Sequence, residues 1–175
     1  MKPEFEFKKV ATAAKDRIEG HYRLRVVTRD LPAGVTGDLD GEEIILDVKN
    51  DPETDLYVLL HLFGHTCQWN TDPALRSLGY ERPVNASPEK MKQIHDYEQS
   101  ASRIGLTLLE EVGHGDLREW LSRFFAADWR FLQVLYTSGQ HTEMNVEWDC
   151  PCELLEPLPV PAFAPHLYEH RQAFE

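Results

Sequence analysis

The chain has 175 residues, 42% of them hydrophobic, and a formal net charge of −12. That length suits one compact domain able to build a core without disulfide staples. So acidic a surface disfavours nucleic acid as a direct partner, and no run approaches the roughly 20 apolar residues that span a bilayer.

A first helix is expected from about Glu4 to Glu19, with Phe7, Val10, Ala14 and Ile18 on one face and Gly20 as a stop. Tyr22 to Thr28 reads as a strand, and the glycines and proline between Leu31 and Gly41 demand turns. Glu42 to Val48 reads as a second strand, antiparallel to the first. Asp51-Pro52-Glu53 then opens a helix: Asp51 caps, Pro52 suits the first turn and Glu53 complements the dipole. That helix runs to about Trp69, and Asn70 to Ala86 reads as a loop. Ser87-Pro88-Glu89 opens the next helix. Its inward face is Met91, Ile94, Glu98, Ala101, Gly105, Leu108 and Val112, at alternating spacings of 3 and 4. Asp116 and Glu119 suggest a capping box for a further helix that ends near Gly139, with Trp120, Phe124, Phe131 and Leu135 as its core residues. Five of the 11 prolines lie between Pro151 and Pro165. This predicts an extended tail on the body, closed by a short helix over Leu167 to Ala173. The fold class expected is α+β, a small antiparallel sheet packed on a helical bundle. Residues 1–140 would form one domain, and 141–175 a proline-rich C-terminal extension.

The most informative stretch is Leu56-Tyr57-Val58-Leu59-Leu60-His61-Leu62-Phe63-Gly64-His65. Residues four apart share a helix face, so His61 and His65 can point at one ion. Gly64 costs roughly 1 kcal/mol in a helix interior, so something should approach the backbone there. Glu98 lies within the apolar stripe of the next helix, where a lone carboxylate is expensive unless paired or metal-bound. His61, His65 and Glu98 thus form a candidate metal set. Against it stands the reading of core histidines and a salt-bridged carboxylate.

This arrangement resembles the ImmA/IrrE-type metallopeptidases, thermolysin-like gluzincins of the cytoplasm that cleave regulators. The resemblance covers about residues 15 to 112. It rests on Gly34-Val35-Thr36-Gly37, Glu43-Ile44-Ile45-Leu46-Asp47, His61-Leu62-Phe63-Gly64-His65 and Glu98-Gln99-Ser100-Ala101. It implies a minimal zincin-like domain in which His61, His65 and Glu98 hold zinc, and Asp47 or nearby backbone flanks the substrate cleft. Another divalent transition metal would fit the same donors. The departure is Leu62, which occupies the general-base position of H-E-x-x-H and can move no proton.

Candidate substitutes are Glu110, Glu111, His95, His141, Glu143 and Glu147. His95 is a candidate extra ligand or partner, against a solvent-exposed reading; His141, Glu143 and Glu147 also read as surface polar residues. Cys150-Pro151-Cys152 forms a C-x-C pair, readable as a structural zinc site with His141 or as two packed thiols. Cys67 reads as core. Gln68 and Asn70 could orient a ligand, and Asn70 could instead cap the helix. The odd cysteine count and the lack of a signal-peptide pattern make the cytoplasm the expected location. Three functions stay open: a metal-binding, inactive or non-classical peptidase-like protein that binds a peptide or protein segment, an active hydrolase with a substitute base, and a metal-free structural or interaction protein. The proline-rich tail is a candidate to lie across the cleft as a bound strand would.

Overall fold

The computed structural model describes residues 4–142, 144–148 and 151–168. Helix α1 spans Glu4–Arg17 and buries Phe7, Val10 and Ala14, the face its periodicity predicts. Gly20 does not stop it. A π-turn over Ile18–Tyr22 carries the winding on to Arg23, at φ 59°. The extension seats Tyr22 against the Phe63 ring, and its hydroxyl donates to Glu111 at 2.7 Å. Those contacts offset a glycine that exposed sequence alone would not overcome.

Three strands follow, β1 (Arg25–Arg29), β2 (Gly37–Leu39) and β3 (Glu43–Asp47), in the order β1-β3-β2. The sheet is mixed, not antiparallel as expected. β1 runs parallel to β3 with Val27 opposite Ile45, whereas β2 is antiparallel to β3 with Asp38 opposite Ile45. The turn-rich segment after β1 crosses to the far edge and forms β2 there. A hairpin then returns β3 to the centre, pointing the same way as β1.

Helix α2 (Pro52–Thr71) starts as read from the sequence, with Asp51 Oδ1 accepting from the amides of Glu53 and Thr54 at 2.9 Å each. Burial opposes ionisation of Asp51, but these bonds and the Thr54 hydroxyl outweigh it and lower its pKa. Asp51→Ala should therefore cost about 1 kcal/mol at neutral pH. A depressed folded-state pKa stabilises above the unfolded value, about 3.9, and the contribution is lost as the pH falls through the folded value. Urea unfolding of both proteins at neutral and acid pH checks this; the gap between them should shrink in acid.

The expected loop after α2 holds another helix, α3 (Pro73–Tyr80), capped by Asp72. Asp72-Pro73 repeats the start signal of Asp51-Pro52, and Gly79 settles the helix tightly against Trp69 and Tyr97. Helix α4 (Pro88–Glu111) buries Ile94, Glu98, Ala101 and Leu108 as expected. A 3₁₀ turn over Gly115–Leu117 leads into α5 (Arg118–Ser138), which has no side-chain cap. The N-cap position is Leu117 rather than Asp116, and Glu119 accepts from Arg123 one turn along α5.

Residues 151–168 form neither helix nor strand and strap the body, as the prolines predict. Leu155 is buried and its amide donates to Ser122 Oγ, while Thr107 Oγ1 donates to the Leu158 carbonyl. Further on, the His166 amide donates to Asn70 and the Tyr168 amide to the Asp40 carbonyl. Gly41, at φ 98°, lets this strap pass: a Cβ there would lie 2.3 Å from the His166 carbonyl oxygen. Leu167 and Tyr168 are not helical, and the remainder of the short helix expected there lies outside the described residues. No described helix is long and apolar enough to cross a membrane.

Candidate metal centre

Helices α2 and α4 make the most extensive contact in the molecule. Two glycines set its depth. A Cβ at Gly64 would stand 2.1 Å from the Ala101 carbonyl oxygen, and one at Gly105 would stand 2.7 Å from that of Leu60. The backbones therefore touch, as the cost of Gly64 implied, and Glu98 is delivered beside His61 and His65.

Three donor atoms meet there. His61 Nε2 and His65 Nε2 lie 3.0 and 2.9 Å from Glu98 Oε2, and 2.9 Å from each other. Among the described residues this is the group of three whose ligating atoms all fall within 4.8 Å of one another. The side chains are only 11% (His61), 7% (His65) and 10% (Glu98) exposed, so water does little to solvate the carboxylate. Burial alone would raise the pKa of Glu98. The facing charge of His65 and hydrogen bonds from both histidines outweigh it and hold the carboxyl well below its ordinary range. Burial likewise opposes charge on His61, but Glu98 outweighs it and raises the imidazole.

The outer nitrogens are also engaged. His61 Nδ1 meets Ser102 Oγ at 2.9 Å, and His65 Nδ1 meets Gln68 Oε1 at 2.8 Å. Gln68 donates its amide nitrogen to the Tyr97 carbonyl and to Ser100 Oγ, which fixes its oxygen towards His65. His65 Nδ1 must then donate, so a neutral His65 aims its Nε2 lone pair at Glu98. Two lone pairs at 2.9 Å require a cation between them, a proton or a metal. Donors about 2.1 Å from a tetrahedral ion stand about 3.4 Å apart, so this triangle closes around an ion after opening by about half an ångström. The donor set therefore fits a divalent transition metal, with Gln68 fixing one ligand's tautomer.

No family model, curated protein or solved structure matches the chain.

The donor triangle opens into a cleft of ≈ 390 Å³, whose walls include Gly34, Thr36 and Gly37 and, from α5, Asp128, Phe131 and Leu132. Leu62 lines it too, packed so closely on edge strand β2 that a Cβ at Gly37 would lie 2.8 Å from its Cδ1. Backbone near β2 thus flanks the cleft, but Asp47 does not. Its carboxylate turns back to accept from the Leu31 amide.

The other sequence candidates lie elsewhere. Glu111 holds Arg17 and Tyr22, and Glu110 is exposed beside it. His95 is half-buried against Trp129 and Phe125, outside the cleft, rather than solvent-exposed or a ligand. His141 is exposed near Phe131, and Glu147 pairs with Arg130. Glu143 and Cys150 lie outside the described residues. Cys152 is a free, half-buried thiol, and no second ligating group of three forms among the described residues. Cys67 is buried core, and burial pushes its thiol pKa up. Asn70 does not end α2, which runs on to Thr71. It donates to the Gly41 carbonyl and anchors the strap. No residue from 151 to 168 lines the cleft, so the proline-rich segment Pro151 to Pro165 does not lie across it. The strap packs on α4 and the start of α5 instead.

One cleft residue was missed in the sequence. Asp128 of α5 is half-buried and lines the same cleft as the histidines, and its Oδ2 accepts from Tyr57 Oη at 2.7 Å. Tyr57 in turn stacks on the His61 ring, 5.6 Å between centroids at 20°. Burial raises the Asp128 pKa; Glu98 adds to the rise, and His61 and the Tyr57 hydrogen bond oppose it.

Proposed function

We propose that the chain is a metal-binding protein that holds one zinc or similar divalent ion on His61, His65 and Glu98 and takes a peptide segment in the cleft beside it. The observation that carries this reading is the convergence of two imidazole nitrogens and one carboxylate oxygen within 3.0 Å, with His65 fixed in the ligating tautomer by Gln68. A bound ion would supply Lewis-acid polarisation of a carbonyl. The chain supplies the rest. Gln68 and Ser102 orient the imidazoles, Gly37 of edge strand β2 lines the cleft, and Phe131, Leu132 and Met144 give it apolar surface. Extended peptides add to sheet edges through main-chain bonds while neighbouring pockets take their side chains. A zincin-like peptidase ancestry agrees with this arrangement, and Leu62 removes the helix glutamate such an enzyme would use.

Elemental analysis of the zinc-incubated, desalted protein tests the reading. About one zinc per chain is expected in the parent and almost none in His65→Ala. No zinc in the parent would leave the triad as a hydrogen-bonded core cluster and overturn the proposal.

A further inference from the structure

Leu62 leaves the triad without a neighbouring base on α2, yet a carboxylate faces the same cleft from α5. We propose that Asp128 is the proton acceptor of this site, serving hydrolysis of a peptide carbonyl bound in the cleft. The inference rests on the metal reading above and deepens it.

Three observations place Asp128 in that role. It lines the same cleft as the histidines, yet is not one of the group whose ligating atoms all lie within 4.8 Å of one another. A proton acceptor acting on a water held by such ligands must stand back in this way, within hydrogen-bond reach of that water. Its Oδ2 is held by Tyr57, and its Oδ1 has no hydrogen-bond partner among the described residues. Tyr57 is itself fixed by stacking on His61, which ties the carboxylate to the triad through one side chain. The burial that raises the Asp128 pKa makes it a better base than an exposed aspartate.

The step balances on the chain's own residues. Oδ1 takes one proton from water as the water oxygen bonds to the peptide carbonyl carbon. When the C–N bond breaks, its electron pair stays on nitrogen, and Asp128 returns the proton there, releasing a carboxylic acid and an amine.

A hydroxamic acid tests this without any substrate, because it sheds a proton on chelating a metal. Acetohydroxamic acid is titrated calorimetrically into the zinc-loaded parent and zinc-loaded Asp128→Asn, in two buffers of different ionisation enthalpy. The parent should release close to no proton to buffer, since Asp128 takes it, whereas Asp128→Asn should release about one and bind about tenfold more weakly. Asparagine keeps an oxygen for Tyr57 to donate to, so a merely structural Asp128 predicts equal proton counts. A parent that releases about one proton overturns the inference whatever the variant does. If the parent binds no zinc, the metal reading falls first and takes this one with it. If zinc binds to both and their proton counts agree, the assignment of Asp128 falls alone.

Discussion

Zinc added to the metal-free protein is expected to raise its unfolding temperature by roughly 5–11 °C at a free concentration a hundredfold above the dissociation constant, about 2.7 kcal/mol. His65→Ala and Glu98→Gln should lose that increment. The size follows from mass action on one site that exists only in the folded chain, since its donors come from two helices. The increment is the diagnostic quantity, not the unfolding temperature itself. Removing His65 also strips the buried Glu98 carboxylate of a partner, which destabilises the protein with or without a metal. Glu98→Gln keeps shape and volume, so it separates loss of a ligand from loss of packing. Equal zinc shifts in parent and both variants would place the metal elsewhere.

Gly64→Ala should cost about 3 kcal/mol or more, reversing the sign that helix propensity gives. In an exposed helix interior the same change gains up to about 1 kcal/mol. Here the added methyl would meet three backbone atoms of Ala101, the oxygen at 2.1 Å, the carbonyl carbon at 2.5 Å and the Cα at 2.6 Å. A backbone cannot rotate aside as a side chain can, so α2 and α4 must separate. Overpacking of this kind costs typically about 1–3 kcal/mol and occasionally more. Glu98 lies one turn before Ala101 on α4, so the same separation should open the donor triangle and weaken zinc binding. Gly20→Ala is the control: a Cβ there meets nothing within 4 Å, and the change should be neutral or stabilising. Urea unfolding and zinc titration on both variants give the answer. A Gly64→Ala protein as stable as the parent would sink the close-contact account.

The donor triad was legible because it rests on two local patterns, a histidine pair at one-turn spacing and a carboxylate within an apolar stripe. Helix starts at Asp51-Pro52 and Ser87-Pro88 were legible for the same reason, since a cap is a matter of three or four consecutive residues. Asp128 carries a signal of the same kind as Glu98. It falls between Phe124 and Phe131 on the aromatic stripe of α5, at spacings of 4 and 3. The bulk of Phe124 and Phe131 dominates the stripe and masks the single charge within it. The strand direction was not legible, because the hydrophobic pattern of β1 and β3 is the same for either orientation. Only the path through β2 decides it. The extension of α1 past Gly20 depends on Phe63 and Glu111, which no window around Gly20 contains. The strap's position off the cleft depends on Thr107 and Ser122, equally remote in sequence.

The strap also sets an order in time. Its His166 amide bonds to Asn70, 96 residues upstream, and Leu158, Val160 and Phe163 pack on the core cluster. During synthesis every described helix and strand is therefore made before the segment that covers them. Until residues 155–168 leave the ribosome, the apolar surface they seal stays open to water and to other chains. The nascent protein passes through a stage in which His61, His65 and Glu98 are all present but the hydrophobic seal is not.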